Sequence, residues 1–210
     1  MKKIVLLLGL LFAMQTALMA QDTTGTVYFL AHLQSTFNLI IVNGGSQEIF
    51  FITPDDYNDG VTELTTAPSG INDGVTQIQI ESTNNWKLTI EADDFGPIAP
   101  TSGGDIPINN LGVTITANGG YDNGSGEVVY TALPGFPQGL SNDAEDLIWH
   151  GTNPNAGDIF DNDYTLHWEM GTHVAGTTMN QATMFDQLAD VIFSTGDFET
   201  TATLTLIQQP

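Results

Sequence analysis

The chain has 210 residues, with 25 acidic side chains, three lysines, no arginine and no cysteine. A surface this anionic repels nucleic acid and anionic headgroups, attracts cations, and leaves almost nothing to clamp a phosphoryl group. An apolar content of 41% excludes a disordered polyanion, because it is enough to build a folded core.

The first element in chain order is a leader. Lys2 and Lys3 precede an apolar run, Ile4 to Met14, and small residues follow at Ala17 and Ala20. That is the pattern of a secretory signal peptide over residues 1–20. Cleavage after Ala20 leaves Gln21 first, and Lys87 then stands alone against twenty-five acids, a balance of −24. No cysteine follows the apolar run, and no later stretch approaches the roughly 20 apolar residues of a membrane helix. The expected product is secreted or held at the cell surface, with no transmembrane segment after cleavage. Residues 21–210 are expected to form a single domain. About 190 residues bury a core large enough to fold without disulfides.

The dominant period in that domain is two. Strand candidates run from Thr26 to Leu33, Phe37 to Val42, Glu48 to Ile52 and Val75 to Ile80. Next come Trp86, Leu88 and Ile90 alternating with Lys87, Thr89 and Glu91. Further candidates are Gly112 to Ala117, Glu127 to Ala132, Asp146 to His150 and Tyr164 to Met170. The last is the nine-residue alternation Phe198 to Leu206, with Phe198, Thr200, Ala202, Leu204 and Leu206 on one face. Gly-Gly, Asn-Asp-Gly, Pro-Ser-Gly and Asn-Pro-Asn clusters punctuate these runs as turns. One echo, Asn58-Asp59-Gly60-Val61-Thr62 repeated as Asn72-Asp73-Gly74-Val75-Thr76, reads as two similar tight turns. Met179 to Phe193 breaks the pattern. Met184, Leu188, Val191 and Ile192 recur there at three- and four-residue spacing, which predicts one or two helical turns capped by Thr178. The expected fold is all-β: a single antiparallel β-sandwich with one short helix near the C-terminus.

Candidate chemistry is sparse. Asp55-Asp56, Asp93-Asp94, Asp143/Glu145/Asp146 and Asp161/Asp163 are acids close in sequence, but carboxylate catalysis needs two acids facing each other across a cleft. Their Gly/Asn/Pro-rich surroundings read instead as solvated loops. Two stretches concentrate hard oxygen donors that suit Ca²⁺: Asp122, Asn123 and Glu127, and Asp158, Asp161 and Asp163. Turn formation explains the same residues equally simply. His150, His167 and His173 match no zinc spacing. There is no G-x-S-x-G elbow, P-loop or dinucleotide fingerprint. Trp86, Trp149, Trp168, Tyr121, Tyr130 and Phe136 could form a sugar-stacking platform, although all three tryptophans sit in strand candidates, where core packing is the default.

The segment Asn85-Trp86-Lys87-Leu88-Thr89-Ile90 contains a W-x-L. An Ile106-Pro107 step follows, and the chain closes on Thr201-Ala202-Thr203-Leu204-Thr205-Leu206-Ile207-Gln208-Gln209-Pro210. In that order, Val75 to Pro210 resembles the WxL-type secreted bacterial surface domains. The resemblance implies an exported β-sandwich of the surface-protein or fimbrial-subunit type. Where that family has its second tryptophan, this chain has Leu204 or Leu206. Peptidoglycan attachment goes with both motifs and is not implied. The expected function is a non-enzymatic structural or adhesion-type module that assembles with itself or with other surface proteins. The alternative is a Ca²⁺-dependent or polysaccharide-binding module.

Overall fold

A computed structural model describes residues 34–62, 70–71, 74–98, 104–119, 137–149, 154–190 and 192–209. The chain divides after Gln34 into two units, and the second, Ser35–Pro210, holds the fold. The leader and the strand candidates Thr26 to Leu33 and Glu127 to Ala132 lie outside the described residues.

The fold is all-β and antiparallel. The strands are β1 (Phe37–Asn43), β2 (Ile49–Phe50), β3 (Val61–Thr62), β4 (Gly70–Ile71), β5 (Val75–Ser82), β6 (Trp86–Ala92) and β7 (Gly96–Pro97). They continue with β8 (Leu111–Ala117), β9 (Gln138–Gly139), β10 (Glu145–Trp149), β11 (Asp163–Met170), β12 (Phe198–Glu199) and β13 (Ala202–Gln208). Among the described residues there are also two six-residue helices, α1 (Pro54–Asp59) and α2 (Met184–Ala189), and a 3-10 turn, Ile108–Asn110. Among the described residues, the first sheet runs β1-β5-β11-β8-β9, with β3 added on β11, the second runs β10-β6-β13, and β12-β7 and β2-β4 form two small two-stranded pairs. The β5–β6 turn carries the chain from the first sheet to the second.

Alternation decides which faces meet. Thr76, Ile78, Ile80 and Ser82 of β5 are buried, as are Tyr164, Leu166, Trp168 and Met170 of β11. From the second sheet, Trp86, Leu88, Ile90 and Ala92 of β6 join Leu147 and Ile148 of β10 in the same cluster. The Trp86 and Tyr164 rings meet edge to face at 6.0 Å and 80°. Removing each large side chain of this kind from water contributes about 1.5–3 kcal/mol. The W-x-L motif is therefore core, with Trp86 and Leu88 both fully buried.

Three expectations change. The terminal alternation is two strands: β12 pairs with β7, and β13 pairs with β6 over all seven residues. The break falls at Thr200 and Thr201, where Thr200 Oγ1 donates to the Asp93 carbonyl and Asp93 N–H donates to the Thr201 carbonyl. The C-terminal helix is capped by Thr183, whose hydroxyl accepts from Asp186 N–H at 3.0 Å. Thr178 instead accepts from Gly139 N–H at 2.9 Å. The helix α1 stands beyond the single helix expected. Thr53 caps it, Pro54 opens it, and the Asp56 carboxylate reaches back to the Ile52 and Thr53 N–H groups. That reciprocal box satisfies donors a helix start leaves orphaned, here with Asp in place of the usual Glu or Gln. Six residues are too few to display a 3.6-residue stripe. The echoed turns behave alike where described, since Gly60 and Gly74 both adopt positive φ, 78° and 62°.

Candidate functional site

Among the described residues, one side of the sandwich carries two apolar, partly exposed edge strands. Among the described residues, β1 and β13 each pair along one edge only, and they approach each other on the same side of the sandwich. Register places Phe37, Leu39 and Ile41 opposite Ser82, Ile80 and Ile78, so these three point into the sandwich. Leu39 packs on the core, yet Phe37 remains 36% and Ile41 53% exposed. From β13, Ala202, Leu204 and Leu206 point inward and are half-buried. Among the described residues, the second sheet has three strands against six in the first. Six of the twelve exposed large hydrophobics among the described residues fall between Phe37 and Ile52.

Edge strands are usually guarded by charge, proline or brevity. The edge strand β10 carries Glu145 and Asp146, and β9 has two residues. By contrast, β1 (FNLIIVN) and β13 (ATLTLIQ) contain no charge and no proline, in a chain with 25 acids. A bulge between Ile41 and Asn43 is the one irregularity on β1.

The outer face of the first sheet is polar and internally satisfied. Gln77 Nε2 donates to both Asp163 oxygens at 2.9 Å, Gln79 Nε2 to Oδ2 at 2.8 Å, and Asn118 Nδ2 to Oδ1 at 2.9 Å. Burial opposes ionisation of Asp163, but the amides of Asn118, Gln79 and Gln77 outweigh it and hold the carboxyl below its usual range. Its folded value thus lies under its unfolded one. Ionised Asp163 stabilises the fold above about pH 4, and that contribution is lost as pH falls through the lowered folded value. Asp163→Asn is expected to lower the urea midpoint at pH 7 and to flatten its decline on acidification. An unchanged acid limb would contradict the amide cradle. On the same strand, burial raises the Glu169 carboxyl against the pull of the Thr172 hydroxyl. There the ionised form opposes the fold at neutral pH, and stability is regained as pH falls through the raised folded value.

The candidate cation ligands divide. Asp122, Asn123 and Glu127 lie outside the described residues. Asp158 Oδ1 accepts from the Phe160 and Asp161 N–H groups at 2.8 and 3.2 Å, capping its own turn. Asp163 is taken up by the three amides. Among the described residues, no group of three or more His, Cys, Asp or Glu side chains is arranged to hold a metal ion. An open cleft of about 310 Å³ is lined by Asp93, Asp94 and Glu199 with Gly96, Pro97, Thr200 and Thr201. It collects negative charge where β7 meets β12. His167 projects from the outer face of β11 and shares a 2.9 Å hydrogen bond with Thr116 Oγ1, while His150 lies outside the described residues.

Core packing holds for Trp86 and Trp168 but not for Trp149, which is 47% exposed. A bulge between Asp146 and Ile148 shifts the β10 register, burying Leu147 and Ile148 in succession and turning Trp149 outward beside Lys87. Lys87 pairs with Asp146 at 2.8 Å. Tyr121, Tyr130 and Phe136 lie outside the described residues.

With so little cationic compensation, the acids repel one another across the whole surface. The melting temperature is expected to rise from low ionic strength to 0.1 M salt, where screening acts within about 10 Å. A flat response would contradict net self-repulsion. No protein-family model matches this chain, and no curated protein matches it.

Proposed function

We propose that this protein is an exported, non-enzymatic structural module of the cell surface or extracellular space, which assembles with itself into larger fibres or layers. The observation that carries the reading is the pair of uncharged edge strands β1 and β13, where Phe37 and Ile41 of the first sheet stay partly exposed among the described residues. Unguarded strand edges are templates for pairing with another chain. A strongly anionic protein that keeps two edge strands free of acids leaves the one kind of surface on which like-charged copies can meet. The leader-like segment 1–20 and the W-x-L resemblance favour export and a surface role. Size-exclusion chromatography with light scattering, followed by electron microscopy of residues 21–210, tests this. Multimers that grow with concentration are expected, and a strict monomer at high concentration would refute the reading.

A second reading, contact with a neutral polysaccharide, is favoured by the exposed Trp149 ring beside the Lys87–Asp146 pair, because flat aromatic faces pack against sugar rings. Titrating soluble polysaccharide against tryptophan fluorescence is expected to give quenching that Trp149→Ala abolishes. Unchanged wild-type fluorescence counts against it.

A further inference from the structure

We propose that Asn43, the last residue of β1, is a modification site: its side chain closes onto the Gly44 nitrogen, releases ammonia and reopens with water as an acid. The inference stands independently of the self-assembly reading.

The sequence contains three Asn-Gly pairs, beginning at Asn43, Asn118 and Asn123, and the last lies outside the described residues. Glycine carries no side chain to hinder its own nitrogen from reaching the preceding carboxamide. The fold itself demands glycine at position 44. Gly44 adopts φ +65°, and a Cβ there would collide with the Val75 carbonyl oxygen. The Gly44 carbonyl is held in place, accepting from Thr76 Oγ1 and from Gln47 Nε2 at 2.9 Å. The residue that makes Asn43 reactive is therefore fixed by packing against β5.

Hydrogen bonding separates the two described pairs, since both asparagines are exposed. At Asn118 the nucleophile and the leaving group are both tied. Gly119 N–H donates to the Asp163 carbonyl at 3.0 Å, and Asn118 Nδ2 donates to Asp163 Oδ1 at 2.9 Å and to Thr165 Oγ1 at 2.7 Å. At Asn43 neither constraint applies with the same force. Among the described residues, Gly44 N–H donates no hydrogen bond, and Asn43 Nδ2 makes a long one of 3.4 Å to Gln77 Oε1. Asn43 Oδ1 accepts from Gln77 N–H at 3.1 Å. That main-chain donor faces the oxygen on which negative charge develops when a nitrogen attacks Cγ.

The step balances with water and hydroxide alone. Hydroxide takes the Gly44 amide proton, the nitrogen attacks Asn43 Cγ, and the new N–Cγ bond closes a five-membered ring. The Cγ–Nδ2 bond breaks, and ammonia leaves with a proton drawn from water. One water then opens the imide. Attack at Cγ restores the ordinary main chain and gives aspartate, while attack at the main-chain carbonyl gives isoaspartate, with the chain routed through Cγ. Nothing is oxidised or reduced. Either product puts a carboxylate on a strand that carries no charge, and isoaspartate adds a methylene to the main chain opposite Gln77. Charge on an edge strand opposes pairing with another chain, so the modification guards β1 as the molecule ages.

The test incubates the full chain at mildly alkaline pH, folded and in concentrated urea, and maps aspartate and isoaspartate by peptide mass spectrometry. In urea the Asn43 and Asn118 peptides are expected to convert at similar rates, because glycine follows both. In the folded protein Asn43 is expected to convert about tenfold faster than Asn118. Asn43→Gln should stay unconverted at that position, because its ring closure would need six members. Conversion of Asn43 no faster than that of Asn118 in the folded protein would overturn the proposal. The same preference for Asn43 in urea would overturn it too, by tracing the reactivity to local sequence instead of the hydrogen bonds of the fold. Light scattering on the same samples reads association separately, so a chain that never associates would count against self-assembly and leave the Asn43 result standing.

Discussion

Asn155→Ala is expected to be among the most destabilising single changes in this protein, costing about 4 kcal/mol. Asn155 is completely buried and acts as a substitute strand for the start of β6. Its Oδ1 accepts from Trp86 N–H at 2.9 Å and its Nδ2 donates to the Trp86 carbonyl at 2.8 Å, as a neighbouring backbone would. The main chain completes the lock, with Trp86 Nε1 donating to the Asn155 carbonyl at 2.8 Å and Asn155 N–H donating to Asn85 Oδ1 at 3.1 Å. Alanine keeps the main-chain bonds and removes both side-chain hydrogen bonds to the buried Trp86 backbone, where the loss of each such partner costs about 1–3 kcal/mol. For a chain of this size the melting temperature should fall by roughly 10 °C. Asn155→Asp keeps the acceptor, removes the donor and buries a charge, so it should do no better. A loss below about 1 kcal/mol would mean that water or a shifted loop replaces the asparagine.

Gln187→Leu is expected to cost about 3 kcal/mol by the same logic applied to a side-chain pair. Gln187 of α2 and Asn110, in the 3-10 turn Ile108–Asn110 that leads into β8, are both buried and exchange two amide hydrogen bonds of 2.9 Å. Gln187 Nε2 also donates to the Ala182 carbonyl at 3.0 Å, and Asn180 Nδ2 donates to Gln187 Oε1 at 3.3 Å. Gly171 N–H meets the Asn110 carbonyl at 2.8 Å, so the pair ties the short helix to the end of β11. A helix of six residues has little stability of its own and depends on such tethers. In a double-mutant cycle with Asn110→Leu, the two losses should be strongly non-additive, because the second substitution removes the group the first leaves unsatisfied. Simple additivity in denaturant midpoints would show that the amides act separately.

The all-β fold is readable because three strands, β5, β6 and β11, each bury one face over seven or eight residues, which writes a clean period of two. What escapes sequence reading is set by distant partners. Threonine suits strands and turns alike, so the break at Thr200 and Thr201 leaves no mark within Phe198 to Leu206. Trp149 sits beside Leu147 and Ile148 as a core residue would, and only the bulge opposite Thr89 and Leu88 turns it outward. Asp163 looks like the end of an acidic loop until Gln77 and Gln79 of β5 and Asn118, just past the end of β8, converge on it. Asn155 lies in an Asn-Pro-Asn turn cluster, and nothing local separates a turn former from a buried lock on Trp86. The candidate site has the same character: β1 is recognisable as a strand, but the partial exposure of Phe37 and Ile41 on its inner face is set by distant packing.

Hydrogen exchange on residues 21–210 at low and high concentration tests most directly whether the side carrying β1 and β13 is a meeting surface. Strand addition should slow exchange in peptides spanning β1 or β13 as concentration rises, with the acid-bearing edge of β10 unaffected. Exchange in both strands that is independent of concentration, in a sample that reaches high concentration without associating, would contradict it.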